Sequence, residues 1–325
     1  MNGKAIDLND PDTVERLAQK TRARFFQGLK KSRLDGVFQL PEEYLVGRGR
    51  FFGDYQAAYL AGILGYQNEA KIVEVGVAHL FGRAFVIAQD RILDNPTSSN
   101  RDYIIAAPLL LQAFFERNDS IATSEKFSEE MERVILESAK ENLSESRKKR
   151  TPAERYSGKD LLNVWKKTGA FTIAAKSFRF LAKGKKSGAL ERIVENVLVA
   201  IQICDDLSDL QEDAEQGNYT IILSQLIQSD KRGSGKEFVF SETSKKRAIG
   251  FIQTASRCLD RAIRKTGQLS GKPTLAESYF KRLRTRLQTT AEEISEATED
   301  QQIKRMLRKL EPGDIAPIKL MESMD

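Results

Sequence analysis

The chain has little of the chemistry on which many hydrolases and secreted proteins depend. It contains a single histidine and two cysteines in 325 residues. One histidine, His79, provides neither a histidine-rich zinc site nor a serine-histidine-aspartate triad with a choice of bases. Cys204 and Cys258 lie in apolar helical contexts and cannot build a disulfide framework, which favours a reducing compartment.

Long apolar runs are missing as well. No stretch approaches the roughly 20 apolar residues of a membrane span, and the N-terminal sequence MNGKAIDLNDPDTVERL lacks the pattern of a secretory signal. We therefore expect no membrane span and a cytoplasmic location. The apolar fraction of 40% and the charged fraction of 30% are typical of globular proteins. The formal charge of +6 favours anionic partners, with nucleic acid and organic phosphates both open.

Apolar residues recur at three- and four-residue spacing along almost the whole chain, which predicts helices. The segments are Thr13–Leu34, Gln56–Asp94, Ile104–Glu116, Ser128–Lys149, Leu161–Lys183, Ala189–Asp213, Ser244–Lys265, Thr274–Thr298 and Gln301–Leu310. No alternating run of strand length competes, and the breaks are too short for domain linkers. We predict an all-α fold and a single domain over residues 1–325.

Acidic residues crowd the end of one apolar helix. The run Val197–Cys204 is apolar except at Gln202, and Asp205, Asp209 and Asp213 then follow at four-residue spacing. On a helix these carboxylates lie on one side, where each like-charged pair costs about 0.2–0.5 kcal/mol. A solvated helix face is the plainer interpretation. An apolar helix that ends in acids instead indicates an internal cavity where carboxylates bind a divalent cation.

A calcium-binding EF-hand loop does not explain these acids. That loop needs a glycine at its sixth position and a glutamate at its end. Counted from Asp205, those positions hold Leu210 and Gln216. The EF-hand interpretation is therefore excluded.

A second acidic pair follows another apolar helical segment. Asp90 and Asp94 are four residues apart, after Phe85–Ile87 and before a turn at Asn95-Pro96. Such a pair is weak evidence alone, since ordinary surface helices produce many. If the two acidic sets face one another, they form a site for magnesium ions that also bind a substrate phosphate.

These motifs resemble those of a known superfamily. QICDDLSD at Gln202–Asp209 is similar to the second aspartate-rich motif of trans-isoprenyl diphosphate synthases and class I terpene synthases, and QDRILD at Gln89–Asp94 is similar to the first. Lys167-Thr168 resembles the lysine-threonine motif of the same enzymes, and Gly47-Arg-Gly-Arg50 resembles their glycine-rich basic motif. The resemblance covers roughly Gly47 to Thr220. It implies a helical bundle of the isoprenoid synthase type with a central cavity.

The resemblance also implies roles for particular residues, a homodimer, and three Mg²⁺ ions bound with the substrate diphosphate. The implied metal ligands are Asp90, Asp94, Asp205, Asp209 and Asp213, and the implied catalytic residues are Asp90, Asp94, Asp205, Asp209 and Lys167. The implied contacts to substrate diphosphate are Arg48, Arg50, Arg83, Arg101, Lys167, Thr168 and Gln202. The candidate cavity-wall residues are Phe85, Val86, Phe171, Phe178 and Ile201. For the aromatic wall residues, core packing is the plainer interpretation.

Some positions depart from the pattern of the chain-elongating enzymes. Arg91 stands where the first motif normally has its second aspartate, the paired arginine that follows is reduced to Arg101, and no lysine occurs between Asp206 and Asp230. These losses fall largely on the binding of isopentenyl diphosphate. The stacked acids of the second motif also fit the register of the terpene synthases.

The sequence therefore supports one hypothesis and two alternatives. The first is a magnesium-dependent class I terpene synthase, a lyase that ionises an allylic prenyl diphosphate and guides the carbocation to a cyclised or deprotonated terpene. The alternative is a prenyltransferase that condenses the allylic diphosphate with isopentenyl diphosphate. The second alternative is a catalytically silent helical subunit or a nucleic-acid-binding protein, although nucleic acid is not the favoured partner.

Overall fold

A computed structural model provides the fold. It describes residues 6–32, 34, 53–94, 101–148, 156, 158–182, 187–229 and 238–310. Within these residues the chain forms helices joined by turns, and none of them lies in a β-strand. The prediction of an all-α fold is confirmed for this part of the chain.

The helices are numbered here in chain order. They are α1 (Pro11–Lys31), α2 (Gln56–Leu64), α3 (Glu69–Asp94), α4 (Arg101–Ile121), α5 (Glu125–Lys148), α6 (Gly158–Asn163), α7 (Ile173–Leu181), α8 (Ser187–Ser208), α9 (Leu210–Gln216), α10 (Ile221–Ser229), α11 (Glu242–Ser270), α12 (Leu275–Glu296) and α13 (Asp300–Arg308). Two short 3₁₀ segments, Val164–Lys166 and Gly169–Thr172, separate α6 from α7.

Local sequence explains where several helices begin and end. The Asp10 carboxylate accepts hydrogen bonds from the first backbone N–H groups of α1, and a capping box that starts at Ser241 does the same for α11. Gly65 and Gly217 end α2 and α9 in the left-handed conformation, with φ of 66° and 71°. Glycine adopts this conformation without the steric cost that a side chain adds.

Helix α3 lies at the centre of the N-terminal half. It packs against α1, α2, α4 and α7, and α11 packs against α8 and α12 in the C-terminal half. The approach of α1 to α3 depends on a glycine, because a Cβ atom at Gly76 would lie 2.7 Å from Cγ2 of Thr21. Both α3 and α8 end at the cavity described below.

The segment Glu69–Leu93 of α3 is long and apolar enough to cross a membrane, with a mean hydropathy of 1.4 over its most apolar window. The sequence predicts no stretch as long and apolar as a membrane span, and this helix does not follow that prediction. However, 83% of the window is buried inside the protein. A core helix passes the same test of length and composition, so the property is weak evidence for a membrane span.

Several predicted helices are interrupted. The segment predicted over Gln56–Asp94 is divided at Gly65, and the one over Leu161–Lys183 is divided by the 3₁₀ segments. The segment predicted over Ala189–Asp213 divides at Asp209, which precedes α9. Helix α10 is absent from the prediction.

Candidate functional site

A cavity of about 820 Å³ lies among α3, α5, the 3₁₀ segments and the α8–α9 region. Its lining residues are Val86, Ile87, Asp90, Arg91, Leu93, Asn142, Glu145, Ser146, Lys167, Thr168, Phe171, Gln202, Asp205, Asp206, Asp209, Glu212, Asp213, Gln216, Asn218 and Thr220. This volume lies within the range of roughly 300–1,000 Å³ that is usual for small-molecule sites. The structure thus brings residues from both acidic motifs and the lysine-threonine pair to one cavity.

The last turns of α3 contribute both an apolar wall and an acid. Val86, Ile87 and Asp90 line the cavity together because residues three and four apart share a helix face. Asp94 is the last residue of this helix. The side chain of Asp94 lies outside the described part of the structure, so its predicted role as a metal ligand stays a prediction.

The α8–α9 region brings the other acids to the cavity. The backbone N–H of Asp209 donates to the carbonyl of Asp205 at 3.0 Å, and that of Asp213 donates to the carbonyl of Asp209 at 2.8 Å. These bonds keep helical spacing across the break, so that all three acids line the cavity. The predicted stacking on one side is therefore preserved although the helix is divided.

Gln202 and Asp206 form a hydrogen-bonded pair one turn earlier. The Gln202 amide donates to the Asp206 carboxylate at 2.7 Å, and Asp206 is buried. Both side chains line the cavity. Because the Gln202 amide group already binds Asp206, Gln202 offers its carbonyl oxygen to a ligand. Its amide group binds a ligand only if the side chain reorients.

Lys167 and Thr168 lie in the turn between the two 3₁₀ segments. The Lys167 ammonium is 2.8 Å from the Glu145 carboxylate, and both side chains are largely buried. Burial works to lower the pKa of Lys167, but the charges of Glu145, Asp206 and Asp90 outweigh it, and the pKa is raised above its ordinary value. Lys167 is therefore a charged ammonium at neutral pH.

The wall beside Lys167 is formed by Phe171. The Arg83 guanidinium lies 5.3 Å from the centre of this ring, and the His79 ring packs edge-on at 5.9 Å between centres. The Gln56 amide donates to the Phe171 carbonyl at 3.0 Å, which fixes the backbone here. Arg83 thus contacts this ring, and it is not among the described residues that line the cavity.

Other predicted residues also lie away from the cavity lining. Phe178 is fully buried and packs edge-on against Tyr66 at 5.5 Å, so core packing is its visible role. Phe85 is buried in the core and Ile201 is half-buried against it.

Three of the predicted basic contacts have side chains outside the described part of the structure. Arg48 and Arg50 lie outside the described residues. Arg101 begins α4, but its side chain is not described. The roles of these three arginines stay predictions.

Sequence reasoning overlooked the contribution of α5. Asn142, Glu145 and Ser146 line the cavity from one face of this helix. Their local sequence, ENLSES, reads as an ordinary exposed helix face and carries no signal of a site. Asn218 and Thr220 were also overlooked, and they line the cavity just after Gly217, where α9 ends.

The charges on the lining indicate which ligands it can accept. In the part of the chain that the structure describes, seven carboxylates and two cationic side chains line the cavity. Such an excess of negative charge repels an anion unless cations accompany it.

In the described residues no group of three or more His, Cys, Asp and Glu side chains is arranged to hold a metal ion by itself. Mg²⁺ typically takes one or two carboxylates, several waters and substrate phosphate oxygens rather than a complete protein cage. Carboxylates on α3 and on α8–α9 supply oxygen donors of this kind. The donor set therefore fits magnesium bound together with a phosphate ligand.

Comparison of the chain with protein-family models and with curated proteins finds no match to either.

Proposed function

We propose that the chain is a class I terpene synthase of the isoprenoid synthase fold, which ionises an allylic prenyl diphosphate. One observation carries this proposal: Asp90 of α3 lines the same cavity as Asp205, Asp209 and Asp213 of α8–α9, although the two sets are far apart in the chain. Lys167, which lies between the two sets in the sequence, also lines this cavity. An acidic cavity with one buried ammonium suits an anion that arrives with divalent cations.

The carboxylates of Asp90, Asp205, Asp209 and Asp213 would hold Mg²⁺, with Asp94 as a further candidate. Bound magnesium would supply positive charge opposite the diphosphate leaving group. Lys167 contributes N–H donors to the same diphosphate, and Thr168 adds a hydroxyl on the adjacent lining.

Apolar side chains would receive the hydrocarbon part of the substrate. Val86, Ile87, Leu93 and Phe171 are the apolar residues on the described lining. They exclude water from an allylic cation, and the Phe171 ring can stabilise a cation by about 0.5–2 kcal/mol. Arg83 already lies near that ring, which weakens its attraction for a second positive charge.

Chain elongation is the alternative for the same site. Both reactions begin with ionisation, so the acidic cavity supports them equally. The reduced isopentenyl-binding motifs of the sequence favour cyclisation or deprotonation. A homodimer is part of the proposal because the resemblance implies one, and sedimentation of the purified protein measures it.

The test supplies purified protein with allylic diphosphates of increasing length and Mg²⁺, with and without isopentenyl diphosphate. Products are analysed by mass spectrometry. A hydrocarbon or alcohol formed without isopentenyl diphosphate supports the synthase, and a longer diphosphate formed only with it supports elongation.

Asp90→Ala and Asp205→Ala test the site itself. We expect each to reduce turnover at least about 100-fold, the size of loss that follows removal of key electrostatic stabilisation. Glu116→Ala, on the exposed surface of α4, is a matched control that should retain activity. Absence of any product from the parent protein would refute the proposed activity.

A further inference from the structure

The ion pair of Lys167 and Glu145 stands at the boundary between two cavities. Both side chains line the large cavity and also a second cavity of about 70 Å³. Their ammonium and carboxylate groups are 2.8 Å apart, and their side chains are 14% and 16% exposed. The ammonium that faces a ligand in the large cavity is therefore already bound to an anionic group of the protein.

Helix α5 binds Lys167 at two points, the backbone carbonyl and the side-chain ammonium. Ser138, Asn142 and Glu145 share one face at spacings of four and three residues. The Ser138 hydroxyl donates to the backbone carbonyl of Lys167, while Glu145 binds its ammonium. With the backbone held by Ser138, the Lys167 side chain can change partners without movement of the turn.

We propose that Glu145 is a positioning residue that binds Lys167 in place of substrate, and that diphosphate displaces it. This inference rests on the proposed function, since it names Lys167 as a diphosphate contact. Carboxylate and phosphate oxygens compete for the same ammonium donors, and both form charge-assisted hydrogen bonds. Lys167 therefore exchanges one anionic partner for another when the diphosphate enters.

The second cavity gives the displaced carboxylate a place to go. Ser144 and Asn163 line it and carry groups that donate hydrogen bonds, which oppose the repulsion by the Glu141 and Asp160 carboxylates on the same lining. A carboxylate that turns toward these groups leaves the large cavity with one negative charge fewer beside the diphosphate. Glu145 thereby lowers the affinity for anions that cannot displace it.

The test measures binding of inorganic diphosphate with Mg²⁺. Trp165 is the single tryptophan of the chain and lies two residues from Lys167, where its carbonyl accepts a hydrogen bond from Thr168 at 3.0 Å. Its fluorescence reports on the site without any need for turnover, and calorimetry gives an independent dissociation constant.

Glu145→Gln removes the competing charge, and we expect it to bind diphosphate about tenfold more tightly, the change expected when one charge-assisted contact no longer has to be broken. Glu145→Asp keeps the charge but shortens the side chain, and it should also bind more tightly. Glu141→Gln is the matched control, because it removes a charge four residues away on α5 from the rim of the small cavity alone. That control should leave the dissociation constant within about twofold of the parent.

A double-mutant cycle decides whether the effect passes through Lys167. In a Lys167→Met background, Glu145→Gln should tighten binding by much less than tenfold, because no ammonium remains to be released and only the loss of one repelling charge is left. Equal tightening in both backgrounds would show a general charge effect and overturn the inference. Weaker binding by Glu145→Gln would show that Glu145 orients Lys167 for diphosphate, which also overturns it.

The outcomes separate this inference from the proposed function. If the parent binds diphosphate with Mg²⁺ and the Glu145 variants bind it equally well, the inference fails and the proposed function stands. If neither the parent nor any variant binds diphosphate with Mg²⁺, both fail. Circular dichroism of each variant verifies that the helical fold is intact.

Discussion

The single histidine gives a sharp prediction about stability and pH. His79 is fully buried on α3, and burial together with the charge of Arg83 lowers its pKa to about 3. Among the described residues, neither ring nitrogen has a hydrogen-bond partner. The imidazole is therefore neutral in the folded protein at every pH well above 3.

The sign of the effect follows from linkage. In the unfolded chain the imidazole has a pKa of about 6.5 and gains a proton as the pH falls, whereas the folded chain does not. His79 therefore contributes stability that is complete above pH 6.5 and is lost as the pH falls toward 3. Each pH unit costs about 1.4 kcal/mol of unfolding free energy, so the loss by pH 4.5 is about 3 kcal/mol.

His79→Leu isolates this contribution, because leucine fills similar space and cannot bind a proton. Urea unfolding of the parent and the variant from pH 7.5 to 4.5 gives two stability curves, and their difference removes the titration of all other groups. We expect the difference to grow in favour of the variant by about 3 kcal/mol over that range. Because the chain has one histidine, its ring protons are a unique NMR signal. A ring that titrates near pH 6.5 in the folded protein, or parallel stability curves, would refute the reasoning.

Two further predictions concern buried groups elsewhere. Asp54 is buried beside Arg22, and burial, only partly offset by Arg22, raises the pKa of Asp54 to about 6. The folded state therefore loses stability as the pH rises from about 4 to 6. The ¹³C shift of the Asp54 carboxyl group should titrate with a midpoint near 6, and a midpoint near 4 would contradict this prediction. Gly76→Ala should cost about 1–3 kcal/mol in urea unfolding because the new methyl group overlaps Thr21. Gly250→Ala, in open space on α11, should instead add about 0.5–1 kcal/mol, and similar losses from both variants would show that crowding is not the cause.

The acids of the α8–α9 region show what local sequence can predict. Helical spacing places Asp205, Asp209 and Asp213 on one side, and the structure retains that arrangement because hydrogen bonds between residues four apart continue across the break at Asp209. The break itself could not be read from the sequence, since no glycine or proline marks it. The meeting of these acids with Asp90 in one cavity was a hypothesis from two apolar helices that each end in acids, supported by the resemblance, because the spacing within either helix does not contain this long-range contact.

The two phenylalanines Phe171 and Phe178 show where local reasoning fails. Seven residues apart, they would share a face of a continuous α-helix. Residues 169–172 instead form a 3₁₀ segment, with three residues per turn rather than 3.6, which changes the direction of Phe171 relative to α7. Phe171 therefore lines the cavity, while Phe178 packs against Tyr66.

Glu145 is a different kind of omission. Its partner Lys167 lies 22 residues away, and their contact depends on how α5 packs beside the 3₁₀ segments. No spacing rule within a single helix contains that information. Long-range pairs of this kind become visible only when the helices are assembled.

The charge of the cavity narrows the choice between the proposed functions. The chain as a whole carries a net charge of +6, which on its own suits nucleic acid, yet among the described residues seven carboxylates and two cations line the cavity of about 820 Å³. A polyanion that binds to a basic surface releases counterions and needs no divalent cation. A small diphosphate in this cavity does need one, because only cations offset repulsion by the surrounding carboxylates. Binding of inorganic diphosphate that requires Mg²⁺ therefore favours the enzyme, whereas magnesium-independent binding of nucleic acid that weakens steeply with salt favours the silent subunit.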